Sequence, residues 1–148
     1  MDQRQGKKGQ TMMEVVFSLT VVAFCLVGLT AAVVKALGNV NFAKTSSEAN
    51  KLTQQKIEAA RIYRDRGNFT DWSSGGETCY ADITETSLGT QINCDQFEEI
   101  SGTQFEQRIE INSFEQNRKR MTVIVKWSDE QVHEAEATTI LSKWQKHE

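Results

Sequence analysis

The stretch KKGQTMMEVVFSLTVVAFCLVGLTAAVV, residues 7–34, decides the reading of this chain. From residue 15 to residue 34 it carries no charged side chain, and only Ser18, Thr20, Gly28 and Thr30 interrupt its apolar character. Twenty helical residues rise about 30 Å, the thickness of a bilayer's hydrocarbon core. A helix apolar on every side needs either a membrane or a large protein around it, and 148 residues do not make a large protein. The run therefore predicts a transmembrane helix. Arg4, Lys7 and Lys8 precede it and only Lys35 follows closely, which predicts a cytoplasmic N-terminus and an extracytoplasmic remainder. An ordinary secretory signal peptide is the alternative, with Thr30-Ala31-Ala32 imitating a cleavage site, but its apolar core is usually shorter.

One residue in that stretch is costly. Glu14 stands directly before the apolar run, where a carboxylate is tolerated only if something stabilises it. Two sources of stabilisation are available from the sequence alone: the dipole at a helix N-terminus with the side chain at headgroup level, or a cationic partner.

Beyond the membrane run the composition changes. From Lys35 onward there are 14 basic and 18 acidic residues, a balance that does not suggest nucleic-acid binding. The local group Arg118-Lys119-Arg120 is read mainly as a solvated loop, with an anionic contact as the second reading. Cys25 lies in the apolar run and reads as a small hydrophobe. Cys79 and Cys94 are the only cysteines of the exported part, where disulfides persist, and they predict a disulfide. No metal site is predicted, because His133 and His147 lie far from both cysteines in sequence.

Past the membrane run no helix-breaking signal occurs before Gly67-Asn68: there is no proline, and Gly38 is the only glycine. Residues 48–66 are rich in helix formers, with Leu52, Ile57, Ala60 and Tyr63 at near-helical spacing. The pattern predicts one helix over residues 11–66, roughly 84 Å long, whose second half lies against a globular head. Residues 67–104 read as loop-rich, with Gly75-Gly76 as a turn. FEQRIEI (105–111) alternates, with Phe105, Ile109 and Ile111 on one face. MTVIVKW (121–127) places Met121, Val123, Val125 and Trp127 together, and VHEAEATTILSKW (132–144) is most strand-like over 138–141. The fold class is α+β: a long N-terminal helix packed on a small antiparallel sheet of three to four strands. Its divisions are a leader (1–9), a membrane helix (10–36), its amphipathic continuation (37–66) and the head (67–148).

The N-terminus resembles the processing signal of type IV pilins and pseudopilins. A short basic leader ends in glycine at Lys7-Lys8-Gly9, Glu14 is the fifth residue after that glycine, and about twenty apolar residues follow. The ending TVIVKWSDEQVHEAEATTIL resembles, more loosely, the last hairpin of minor pilins and minor type II secretion pseudopilins. The resemblance implies cleavage after Gly9 by a prepilin peptidase and N-methylation of Gln10. It also implies that Glu14 pairs with the N-terminal amine of a neighbouring subunit. The implied partners are other pilin or pseudopilin subunits, the peptidase and the inner-membrane platform of an assembly machine. The implied location is the inner membrane, then a filament. Two departures stand out: Gln10 occupies a position usually held by Phe or Met, and the chain lacks the proline that many members carry in the apolar helix.

No catalytic residue and no cofactor is predicted. Asp65, Asp71, Asp82 and Asp95 form no motif, and there is no glycine-rich phosphate loop. Trp72, Trp127 and Trp144 are read first as packing residues, Trp72 being the best candidate for an exposed stacking surface. A structural filament subunit is the leading reading. The alternative is an uncleaved signal-anchor protein with a ligand- or partner-binding head, in which Gly9 has no role.

Overall fold

With no proline and only the isolated glycines Gly9, Gly28 and Gly38 between Lys7 and Asp65, nothing interrupts helical hydrogen bonding there, and one helix results. In the computed structural model the backbone is described at residues 7–72, 76–115, 117–129 and 131–143, and side chains from Met12 onward, excepting Thr70 and Asp71. Helix α1 runs Lys7–Asp65, 59 residues. It ends where the sequence signals a stop. Gly67 adopts φ 96°, the left-handed conformation that glycine takes without penalty, and its N–H donates to the Arg64 carbonyl at 2.9 Å. A 3-10 turn, Asn68–Asp71, follows.

The chain divides into two compact units, Met1–Ala43 and Lys44–Glu148. Within the first, every described side chain of α1 is exposed.

The second unit contains the C-terminal part of α1 and a six-stranded antiparallel sheet. Its strands are β1 (Gly76–Tyr80), β2 (Gln91–Ile92), β3 (Glu98–Glu99), β4 (Glu106–Glu115), β5 (Arg118–Asp129) and β6 (Gln131–Ser142). They are ordered β2-β1-β4-β5-β6, with β3 beside β4. Ala49, Thr53, Ile57, Ala60 and Tyr63 recur at helical spacing and are buried, so α1 packs this stripe onto the sheet. The small side chains of Ala49 and Ala60, both at 0% exposure, allow close approach. From the sheet, Ile109, Ile111, Met121, Val123, Val125 and Trp127 complete the core on alternate positions of β4 and β5. Burying each such aliphatic side chain contributes about 1.5–3 kcal/mol.

The α+β arrangement and the faces of β4 and β5 agree with the sequence reading; the strand count of three to four does not. Six strands form because residues 67–104 are not simply loop. β1 pairs with β4 from Gly76↔Ser113 to Tyr80↔Ile109, while β2 and β3 are two residues each, too short to show a period-2 pattern. β6 is also longer than residues 138–141. In HEAEA the alternation is carried by His133, Ala135 and Ala137 facing inward and Glu134 and Glu136 outward, and alanine is too weakly apolar to announce it.

Between β1 and β2 the chain continues as a hairpin. Ala81 N–H donates to Thr90 O and Gly89 N–H to Asp82 O, both at 2.9 Å, and Ile83 bridges Leu88. At the tip Thr84 Oγ1 accepts from the Ser87 N–H at 3.0 Å, a side-chain turn that needs no glycine. A Cβ on Gly89 would lie 2.7 Å from the Asp82 carbonyl oxygen, so the two backbones meet too closely for any side chain there.

Candidate functional site

The residues that carry the sequence signal stand along the first turns of α1. Gly9 and Gln10 lie on its helical backbone. Glu14 is exposed, and its carbonyl accepts a hydrogen bond from Ser18 Oγ at 2.8 Å. Beyond it, apolar side chains face outward in every direction: Met12 is 77% exposed, Phe24 83% and Val34 69%. Two open grooves run beside Glu14, one lined by Met12, Met13, Val16, Phe17 and Thr20, the other by Glu14, Val15, Ser18, Leu19 and Val22. They are the spaces between side-chain rows of a helix, not enclosed cavities.

The polar residues of the run suit an apolar surrounding. Thr20 Oγ1 donates to Phe17 O at 2.7 Å and Thr30 Oγ1 to Val27 O at 2.9 Å, so, as with Ser18, each hydroxyl proton is satisfied within the helix. Every backbone group inside a helix is likewise paired, the condition for entering hydrocarbon. Among the described residues there is one helix long and apolar enough to cross a membrane, and it is this one. Glu14 is the exception to its apolar surface: a carboxylate, acceptor-only when ionised, with no salt-bridge partner among the described residues.

The head unit brings together side chains that the sequence keeps far apart. Asp82 Oδ1 accepts from Lys56 Nζ at 2.5 Å, from the Ile83 N–H at 2.7 Å and from Gln107 Nε2 at 3.0 Å. One carboxylate oxygen thus ties α1, the β1–β2 hairpin and β4. Cys79 and Cys94 form the predicted disulfide, with Cα atoms 5.2 Å apart. The segment after Cys94 is held onto the outer face of the sheet. Arg108 Nη1 donates to the Cys94 carbonyl, its guanidinium lies 4.4 Å from the centre of the Phe97 ring, and its Nη2 pairs with Glu110 at 2.6 Å.

The structure decides between the alternative readings here. Trp72 takes the packing role read first for it, not that of an exposed stacking surface. It is fully buried, stacked at 6.2 Å on Tyr63 and packed at 5.8 Å against Phe69, so the three aromatic rings fill this end of the core together. Arg118-Lys119-Arg120 is strand, not loop, and strand alternation splits it. Arg118 and Arg120 are exposed, while Lys119 points inward at 5% exposure. Its ammonium donates to the Trp72 carbonyl at 2.5 Å and lies 5.1 Å from the centre of the Phe69 ring. Burial pushes the Lys119 ammonium below its ordinary value.

Trp127 is core, edge-on to Phe105 at 6.1 Å and beside His133 at 5.5 Å. Trp144 and His147 lie outside the described residues. Of the aspartates, Asp65 pairs with Arg64 and Asp82 with Lys56, so they do not converge. Among the described residues no three His, Cys, Asp or Glu side chains are grouped to hold a metal.

Neither the Asp82 junction nor the Lys119–Trp72 contact has a local sequence signal, since their partners are 25 to 47 residues apart. No family model matches this chain, and no curated protein or solved structure matches it.

Proposed function

We propose that this chain is a structural subunit of a pilus-like or secretion filament, of the minor pilin or pseudopilin kind, rather than an enzyme. The observation that carries the reading is a single carboxylate, Glu14, five residues after Gly9 at the head of an outward-facing apolar helix. In the membrane the helix anchors the subunit, N-terminus cytoplasmic and head outside. A prepilin peptidase cuts after Gly9, freeing the amine of Gln10, which is then methylated. Once the subunit is packed among others, a carboxylate in apolar surroundings is stabilised by a cation, and a neighbour's N-terminal amine supplies it. That contact fixes the axial register between adjacent helices, and the apolar side chains fill the space between them.

Mass spectrometry of the membrane fraction tests this directly. In cells with an active prepilin peptidase the N-terminal peptide begins at Gln10 with one added methyl group, and Gly9→Val abolishes the cut. Glu14→Gln is processed normally but fails to enter filaments. An N-terminal peptide still beginning at Met1 in the presence of the active peptidase overturns the proposal. So does a Gly9→Val chain with full function, which returns the signal-anchor reading.

A further inference from the structure

The two edges of the sheet differ. On one side the strands are two residues long, β2 and β3, and the disulfide Cys79–Cys94 fastens the chain beside them. On the other, β6 extends for 12 residues and stays in register with β5 from Asp129↔Gln131 to Arg118↔Ser142 without a shift. It pairs with no further strand among the described residues. A long regular edge presents a row of backbone donors and acceptors, and soluble domains blunt such edges with short strands, bulges, prolines or charged side chains, lysine above all. The sequence of β6, QVHEAEATTILS, contains neither proline nor lysine.

What β6 carries instead is a pattern of side chains. Val132, Glu134, Glu136, Thr138 and Ile140 are exposed together on the outer face. Among the described residues of the head the exposed large apolar side chains are Phe114, Val132 and Ile140, so two of the three lie on this strand and flank its two glutamates. Neither glutamate is in a salt bridge among the described residues, although Lys126 stands opposite Glu134 on β5. On the inner face Ala135 and Ala137 are small and sit at the margin of the core, Ala135 buried and Ala137 partly buried against it.

We infer that β6 is a strand-addition site for an extended segment of a partner protein. The segment carries Lys or Arg opposite Glu134 and Glu136, apolar residues opposite Val132 and Ile140, and apolar residues at the alternate, inward positions. Backbone hydrogen bonds along β6 supply the affinity, and the two glutamates select the charge. A second copy of this chain is the poorer occupant. Its long free edge is the same β6, and pairing the two would gather four glutamates on one face. The inference does not depend on the filament reading, since it rests on the head alone.

The test uses the full chain in neutral detergent micelles and hydrogen exchange of the amides in residues 131–142. The probe is a ten-residue capped peptide alternating Val and Lys, compared with one alternating Val and Glu. At saturation the Val/Lys peptide slows exchange along β6 by about tenfold or more, while the Val/Glu peptide leaves it unchanged. In the double variant Glu134→Lys/Glu136→Lys, whose substitutions are on exposed side chains, the preference reverses. Equal protection by both peptides, or no protection at millimolar peptide, overturns the inference. So does a double variant with unchanged preference, and so does protection of β6 that rises with protein concentration in the absence of peptide, which would show self-pairing instead.

Discussion

Removing the Asp82 carboxylate tests the idea that one oxygen holds three elements of the head together. Its three donors differ in what they lose on Asp82→Ala. The Lys56 pair is partly solvated, with side chains 19% and 39% exposed, and a screened pair of that kind contributes about 0.5–1 kcal/mol. Gln107 is 4% exposed and its Oε1 already has no hydrogen-bond partner among the described residues. Stranding its amide nitrogen as well costs about 1–3 kcal/mol. The Ile83 N–H, beside the hairpin, loses about 0.5–1.5 kcal/mol. The expected loss for Asp82→Ala is about 3 kcal/mol, which at a urea slope of 1–3 kcal/mol/M moves the midpoint down by about 1–3 M.

Asp82→Asn retains an oxygen that accepts from Ile83 and Gln107, so it loses mainly the charge term, about 1 kcal/mol. Urea unfolding of the full chain in micelles, followed by the fluorescence of buried Trp72 and Trp127, measures both. A double-mutant cycle with Lys56→Met should give a coupling below about 1 kcal/mol. An Asp82→Ala chain within about 0.5 kcal/mol of the parent refutes the three-way junction. So does an Asp82→Asn chain as costly as Asp82→Ala, since the retained acceptor would then be worth nothing.

Other changes probe the remaining contacts. Cys79→Ala with Cys94→Ala opens a loop whose ends are 15 residues apart and should cost about 3 kcal/mol in the same assay. Either single variant should cost nearly as much as the double, with Cys79→Ala the worse because that side chain is buried. Gly89→Ala forces a Cβ against the Asp82 backbone and should cost about 1–3 kcal/mol, with faster exchange of the Gly89 and Ala81 amides. Lys119→Met should change the pH dependence of unfolding. Burial lowers the folded-state value of Lys119 below the unfolded 10.5, so between those two values the unfolded chain binds more protons and stability rises with pH. The cost of the buried charge is therefore full below the folded value and vanishes above the unfolded one. Measured against Lys119→Met, the parent should gain stability on going from neutral pH into the alkaline range, and a difference independent of pH refutes the assignment.

How far the fold could be read from sequence depended on how much of each element's signal was local. The helix was legible because its cause is local: no proline, good helix formers, and Gly67 to end it. The faces of β4 and β5 were legible because Ile109 and Ile111, and then Met121, Val123, Val125 and Trp127, recur at every second position. β1 was not, because GETCY becomes strand through its pairing with β4, a tertiary fact. Lys119 was misread because three consecutive basic residues look like a surface, yet a strand must turn every second side chain inward. Trp72 has the packing role read first for it, enclosed by Tyr63 and Phe69, although its serine- and glycine-rich surroundings left an exposed role open as the second reading. Gly9 and Glu14 are visible in the sequence as a spacing, and the structure adds their setting on an uninterrupted helix with Glu14 exposed.

The strand order also sets an order of assembly. β1 pairs with β2, β4 with β5 and β5 with β6, each with the next strand in the chain, so these hairpins close over short lengths at small entropic cost. β1 must also reach β4 from Gly76 to Ser113 across the whole cystine-bearing segment. Nearest-neighbour hairpins form before such distant closures, so the β1–β2 hairpin and the C-terminal meander organise before they join. The two cysteines flank the β1–β2 hairpin, with Cys79 opposite Ile92, so this local pairing and not the distant closure brings them together. An oxidant acting once that hairpin has closed therefore meets Cys79 and Cys94 side by side, whereas one acting on the wholly unfolded chain meets three thiols, Cys25 included, with no template to choose among them.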